Sequence, residues 1–244
     1  RDSRLEPYPL GNVDVLKLFP PMFTFWCLLL FAAPMLKMLS ITSDVSIKFW
    51  LGVGPMLLCV VPWVLIGIGA LLHKARRGPC KWAIVVSLIG GGACLGGISD
   101  VVLKQAIRTG YLLGARDCEK NTEKYEIEKA WQAANHYASS CTDSGIISRC
   151  PTYREKLAQN PYWRYLREVE LAYGCGGWCQ PAKSLWFHRR DVGDSCSSVV
   201  SEVLLGNMQR LSSQVFTFCL SLIAGTGLFL IMLGPSIRKR VGNW

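Results

Sequence analysis

The sequence predicts an all-α membrane protein: four transmembrane helices in a bundle, with a disulfide-stapled, mainly helical outer domain between spans three and four. Three observations carry that expectation. Apolar residues make up 50% of the 244 positions and gather into a few long blocks, lysine and arginine cluster at the ends of those blocks, and six of the 11 cysteines fall in one polar stretch. Segregation of this kind is membrane composition.

Residues 1–17 form a polar arm that contains Gly11 and Asn12 and no hydrophobic signal core. The chain starts at Arg1 rather than methionine, which admits an upstream targeting segment removed from a precursor. About 20 apolar residues at helical rise cross a hydrocarbon core of about 30 Å. Four stretches meet that length, at Phe19–Leu36, Phe49–Leu72, Trp82–Ser99 and Val215–Leu233. The first carries Pro20, Pro21 and Pro34, which neighbouring helices make tolerable by covering the freed carbonyls. Only the short turn Ser40–Lys48 joins spans one and two, so these are expected to be antiparallel neighbours. The organisation that follows is spans one to three within 18–103, an outer domain at 104–214, span four at 215–234 and a basic tail at 235–244.

Span three is rich in glycine, at Gly90, Gly91, Gly92, Gly96 and Gly97. Lipid tails give helices no hydrophobic reason to associate, so close backbone approach at small residues holds a bundle together. Gly92 and Gly96 form such a small-xxx-small pair. They predict a compact left-handed bundle, or a docking face for a neighbouring protein. In the outer segment, Ile127, Ala130, Trp131, Ala134 and Tyr137 recur at helical spacing, as do Tyr162, Leu166, Val169 and Tyr173. Asn160 and Pro161 mark a break in the second of these helices. A third set, Val200, Val203, Leu204 and Leu211, runs into span four, so the outer domain is expected to stand on extensions of spans three and four.

Basic loops resist translocation, which sets orientation. The loop His73 to Lys81 and the tail residues Arg238, Lys239 and Arg240 share one side of a four-span chain. Both termini are therefore expected on the cytoplasmic, stromal or matrix side. The formal charge of +10 comes largely from this flank, and Glu119, Glu123, Glu126 and Glu128 interrupt the outer basic residues. Nucleic acid is thus not an expected partner. Charges within spans usually mark ion paths. Only Lys37 and Asp100 are found, both near outer span ends, which argues against transport.

The outer cysteines are Cys118, Cys141, Cys150, Cys175, Cys179 and Cys196. An even set in an outward domain of this size suits a disulfide framework, although six cysteines admit 15 connectivities. The stretch Tyr173-Gly-Cys-Gly-Gly-Trp-Cys179 holds two of them. Its spacing is one residue longer than a redox Cys-x-x-Cys. Zinc could recruit Cys175, Cys179, His188 and Cys196, but their spacing fits no familiar zinc module. A cross-linked turn uses the stretch best: Gly176 and Gly177 supply unusual dihedrals and Trp178 covers the sulfur with apolar area. No metal site and no catalytic constellation is expected; the histidines His73, His136 and His188 share no helical face. Cys80, in the basic juxtamembrane loop, is a candidate for S-acylation. The outer segment holds no Asn-x-Ser/Thr sequon, which weighs against a secretory-pathway surface protein.

Four spans, basic inner flanks, a short first outer loop, a large second one and a late cysteine-glycine motif together resemble the tetraspanin family. Gly174, Cys175 and Gly176 match the family's Cys-Cys-Gly with glycine leading, and Gly193, Asp194, Ser195 and Cys196 match its Pro-x-Ser-Cys with glycine for proline. The resemblance implies a disulfide between Cys175 and Cys196. It also implies a non-catalytic organiser that binds other integral membrane proteins through glycine-rich helices and the stapled outer domain. Bound lipids are expected and no cofactor is required. The alternative is an accessory subunit of a large photosynthetic or respiratory membrane complex, which would admit bound pigments.

Overall fold

A computed structural model describes residues 15–52, 60–76, 80–119, 121–141, 146–187 and 193–241, and every regular element among them is helical. Outside the described residues lie most of the N-terminal arm, residues 53–59 of the second expected span, Arg77 to Pro79 of the basic loop, and His188, Arg189 and Arg190.

Nine helices follow in order among the described residues. They are α1 (Val15–Thr42), α2 (Val45–Leu51), α3 (Val61–Arg76), α4 (Lys81–Gly114), α5 (Thr122–Cys141), α6 (Tyr153–Gln159), α7 (Pro161–Tyr173), α8 (Cys196–Glu202) and α9 (Met208–Val241). Wide π turns sit inside α4 at Val85–Gly90 and between α8 and α9 at Val203–Asn207. Among the described residues three stretches are long and apolar enough to cross a membrane: Phe19–Ile41, Lys81–Gly114 and Cys196–Met232.

The second expected span, Phe49–Leu72, is not one helix among the described residues. Asp44 caps α2 by accepting from the Ser46 and Ile47 amides at 2.9 and 3.3 Å, and Gly52 ends that helix in the left-handed region at φ 68°. Phe49 to Leu51 thus belong to a separate short helix. The apolar helix that follows, α3, has 16 residues. That is about 24 Å of rise, short of the hydrocarbon thickness by itself. At the other end, the expected basic tail is largely helical, since α9 runs to Val241 with Pro235 inside it.

The chain divides into two compact units. The first takes Arg1–Met35, Cys59–Gly96 and Thr217–Trp244. In it the glycine-rich start of α4 meets α1, α3 and α9. The Phe31 ring, fully buried, lies where a Cβ on Gly91 would stand 3.0 Å from it, and packs edge-on against Phe218 at 6.3 Å. Gly92 faces Leu222 and Ile223, and Gly96 faces Cys219, so both residues of the expected packing pair lie against α9. Gly97, where the second unit begins on α4, faces open space. On α3, Gly69 lies against Ser87 and the Ala83 carbonyl, and buried His73 sits edge-on to Phe19 and Phe23 at 5.8 and 5.3 Å.

The second unit takes Leu36–Leu58 and Gly97–Phe216. It is larger than the expected outer domain at both of its sequence edges, because the short first loop belongs to it. Within it, small residues let α4 run close beside α8 and α9. Ser99 and Ser212 share a hydrogen bond at 2.8 Å, the Ser201 hydroxyl donates to the Gly110 carbonyl at 2.7 Å, and Gly110 lies against Leu205. Ile127, Ala134, Leu166, Val169, Val200 and Leu204 are fully buried between these helices and α5 and α7.

Candidate functional site

The segment Gly174 to Cys179 is where the second unit is tied together. Gly174 stops α7 in the left-handed region at φ 65°, its amide donating to the Glu170 carbonyl at 2.9 Å. Gly177 is also left-handed, at φ 74°, and a Cβ there would strike the Gln180 carbonyl. A Cβ on Gly176 would meet the Ala182 carbonyl and come within 2.8 Å of the Ser184 amide. Only glycine fits these two positions. The strand of backbone so formed pairs with the start of α8: Gly176 donates to the Asp194 carbonyl at 3.2 Å, Cys196 to that of Gly177 at 2.8 Å, and Ser197 to that of Trp178 at 3.0 Å.

Three disulfides close the unit. Cys175 bonds Cys196 and ties the end of α7 to α8; Cys118 bonds Cys179 and ties the chain after α4 to the same segment; Cys141 bonds Cys150 across the loop after α5. Their Cα separations are 5.1, 6.1 and 5.6 Å in that order, within the range a disulfide spans. Cys175 and Cys179 have different partners, so they are not a dithiol pair. Each sulfur of the zinc alternative that lies in the described residues is in a disulfide. Glu128 brings a carboxylate to within 4.8 Å of the Cys118 and Cys179 sulfurs, but bonded sulfurs have no thiolate to offer a metal. The carboxylate instead accepts from the Cys179 amide at 2.9 Å.

Trp178 is the centre of this hub. It is fully buried, donates its indole N–H to the Lys124 carbonyl at 3.1 Å, and stacks on Trp50 at 6.4 Å. Trp50 comes from α2, and that helix is clasped to α7 by three further contacts. The Trp50 indole donates to the Tyr165 hydroxyl at 2.8 Å, the Phe49 ring stacks on Tyr165 at 3.9 Å, and the Tyr173 hydroxyl donates to Asp44 Oδ1 at 2.6 Å. Burial, reinforced by the bond to Asp44, pushes the Tyr173 hydroxyl up to about 12. The short segment around α2 and the long segment that holds α7 are thus one packed object.

Two buried ionisable side chains secure the same hub. Lys124 is 1% exposed and donates to the Leu113 and Ala115 carbonyls at 2.7 and 2.5 Å, satisfying the end of α4. Burial pulls its ammonium below the usual lysine range, opposed by Asp117 and Glu128. Glu170 is fully buried. It accepts from the Leu185 and Trp186 amides at 2.8 and 3.1 Å, from the Trp131 indole at 3.3 Å, and from the Ser184 hydroxyl. Burial raises its carboxyl above the ordinary range, and those four donors oppose the rise.

The sequence placed the six cysteines and the glycine turn but missed Glu170, Lys124 and the α2 clasp. A capping Asp44 followed by Gly52 was the available signal for α2 as a separate helix. Cys80, the candidate for S-acylation, is 5% exposed at the start of α4, so its thiol is enclosed rather than presented. His136 is exposed on α5 and takes no part in the hub. Comparison with known proteins finds no matching family model, no matching curated protein and no matching solved structure.

Proposed function

We propose that the protein is a non-catalytic, tetraspanin-like membrane scaffold, four-pass with both termini on the cytoplasmic, stromal or matrix side, whose stapled outer unit grips other integral membrane proteins. One observation carries the reading: the glycine-cysteine turn after α7 joins α2, α4, α5, α7 and α8 into a single cross-linked body. The Cys175–Cys196 bond is the pairing that the tetraspanin resemblance implies. These two buried side chains support the same reading, since Lys124 and Glu170 spend their hydrogen-bonding capacity on the protein's own backbone and side chains. A scaffold also needs faces to offer. On α1, Phe25 and Trp26 are 57% and 56% exposed, and on α9, Ile231 and Met232 are 73% and 72% exposed, surfaces suited to lipid or to neighbouring helices.

The test is native co-purification in mild detergent, combined with two-sided labelling. The scaffold reading expects several exchangeable membrane-protein partners, with residues 104–214 protected from the side that labels Arg238 to Arg240. A single fixed stoichiometric assembly would favour the accessory-subunit alternative. Recovery of the chain without any protein partner would count against both.

A further inference from the structure

A second feature of the second unit borders the glycine-cysteine hub and shares Trp186 with it. The turn after Cys150, the start of α6, the outer face of α7 and the segment ending at Trp186 surround a cavity of about 680 Å³. That is the size of pockets that take a drug-sized ligand or a few peptide residues, about 300–1,000 Å³. Its floor is fixed: Trp186 and Tyr153 are 7% and 9% exposed, and the Trp186 indole donates to the Tyr153 hydroxyl at 2.9 Å. Its walls carry Arg154 from α6 and Arg167 from α7, both exposed, against one acid, Glu155. Among the described residues no carboxylate pairs with either guanidinium. Beside them Leu171, one turn on from Arg167, is 50% exposed and adds an apolar wall. Thr152, on the rim, is the one non-glycine residue with positive φ among those described, at 58°. Strained backbone of this kind is concentrated at ligand clamps.

Resting on the scaffold reading, we infer that this cavity is a docking site for an acidic peptide segment of a partner protein, with carboxylates on Arg154 and Arg167 and an apolar side chain against Leu171 and Trp186. Guanidinium groups are suited to this task because their planar donor pairs match a carboxylate in two-point contact. Recognition of acidic motifs by arginine clusters is a recurrent mode of peptide binding. The second cation and the adjoining apolar wall distinguish this site from a bare anion hole.

The experiment titrates the full chain in detergent with a blocked synthetic tripeptide of glutamate, leucine and glutamate, and with its glutamine-leucine-glutamine analogue, following binding calorimetrically. The acidic peptide is expected to bind saturably and to weaken with salt. Binding should fall at least about tenfold in the Arg154→Glu/Arg167→Glu double variant and by a smaller factor in Leu171→Ala. Near-ultraviolet circular dichroism checks that both variants keep the native fold. Three results would each overturn the assignment: equal affinity for the two peptides, no saturable binding below about 1 mM, or inorganic phosphate alone matching the acidic peptide. Native co-purification separates this inference from the reading beneath it. If the wild-type chain retains partners and the double variant retains the same ones, the cavity assignment fails and the scaffold stands; if the wild-type chain retains none, the scaffold fails.

Discussion

Replacing Glu170 by alanine removes the acceptor for four donors at once, and two of them, the Leu185 and Trp186 amides, are backbone groups with nowhere else to turn. A buried donor left without an acceptor costs about 1–3 kcal/mol. Two amides and the Trp131 indole together set a gross loss of several kcal/mol, and relief of the carboxylate's own desolvation offsets part of it. The net loss expected for Glu170→Ala is about 2–4 kcal/mol, the sum of the orphaned donors less the desolvation relieved. Glu170→Gln keeps one acceptor oxygen for the amides and should lose less, about 1–2 kcal/mol. The pH dependence has a definite sign. Because burial raises the folded-state carboxyl above its unfolded value, its stabilising contribution is complete below the unfolded value and is lost as pH rises through the folded one. The advantage of wild type over Glu170→Gln should therefore shrink as pH rises from the ordinary glutamate range, and then level off. Urea unfolding of the second unit, followed by tryptophan fluorescence over a pH series, reads both effects. An unchanged midpoint in Glu170→Ala, or a wild-type advantage that grows with pH, would refute the reasoning.

The next two expectations use the same unfolding assay. Paired serine replacements at the disulfides should rank by loop length: loss of Cys118–Cys179 at a sequence separation of 61, then Cys175–Cys196 at 21, then Cys141–Cys150 at 9. Chain entropy puts these at about 4, about 3 and about 2.5 kcal/mol. Gly177→Ala meets both a left-handed backbone and the Gln180 carbonyl, whereas Gly52→Ala meets the backbone term alone; the second should cost about 1–2 kcal/mol and the first clearly more. Gly92→Ile in the first unit should lower thermal stability in detergent through collision with Ile223, while Gly97→Ile in the second, pointing into open space, should leave it nearly unchanged. Trp50→Ala should loosen α2 from α7, which amide hydrogen exchange at residues 45–51 would report as faster exchange.

Much of the fold is legible because apolar length and cysteine placement are one-dimensional properties. The blocks at Phe19, Trp82 and Val215 announce long apolar helices, and Asn160-Pro161 announces the break between α6 and α7. The separate identity of α2 is harder to see, since Phe49, Trp50 and Leu51 run straight into another apolar stretch and hydropathy does not tell an aromatic helix packed on α7 from the first turn of a span. Lys124 and Glu170 illustrate a second limit. Each sits among other charges in sequence, on helices whose periodicity reads as a solvated face, yet each is buried because its bonding partners come from segments distant in the chain. Disulfide pairing has the same character: composition requires an even set, and only the fold decides that Cys118 meets Cys179.

The scaffold reading meets its most direct test at Phe187, which is 46% exposed on the outer unit. With a photoreactive residue at that position and illumination in native membranes, the reading expects adducts to a small set of discrete integral membrane proteins, lost when the disulfides are reduced beforehand. Adducts to lipid alone, or the same protein adducts after reduction, would contradict it.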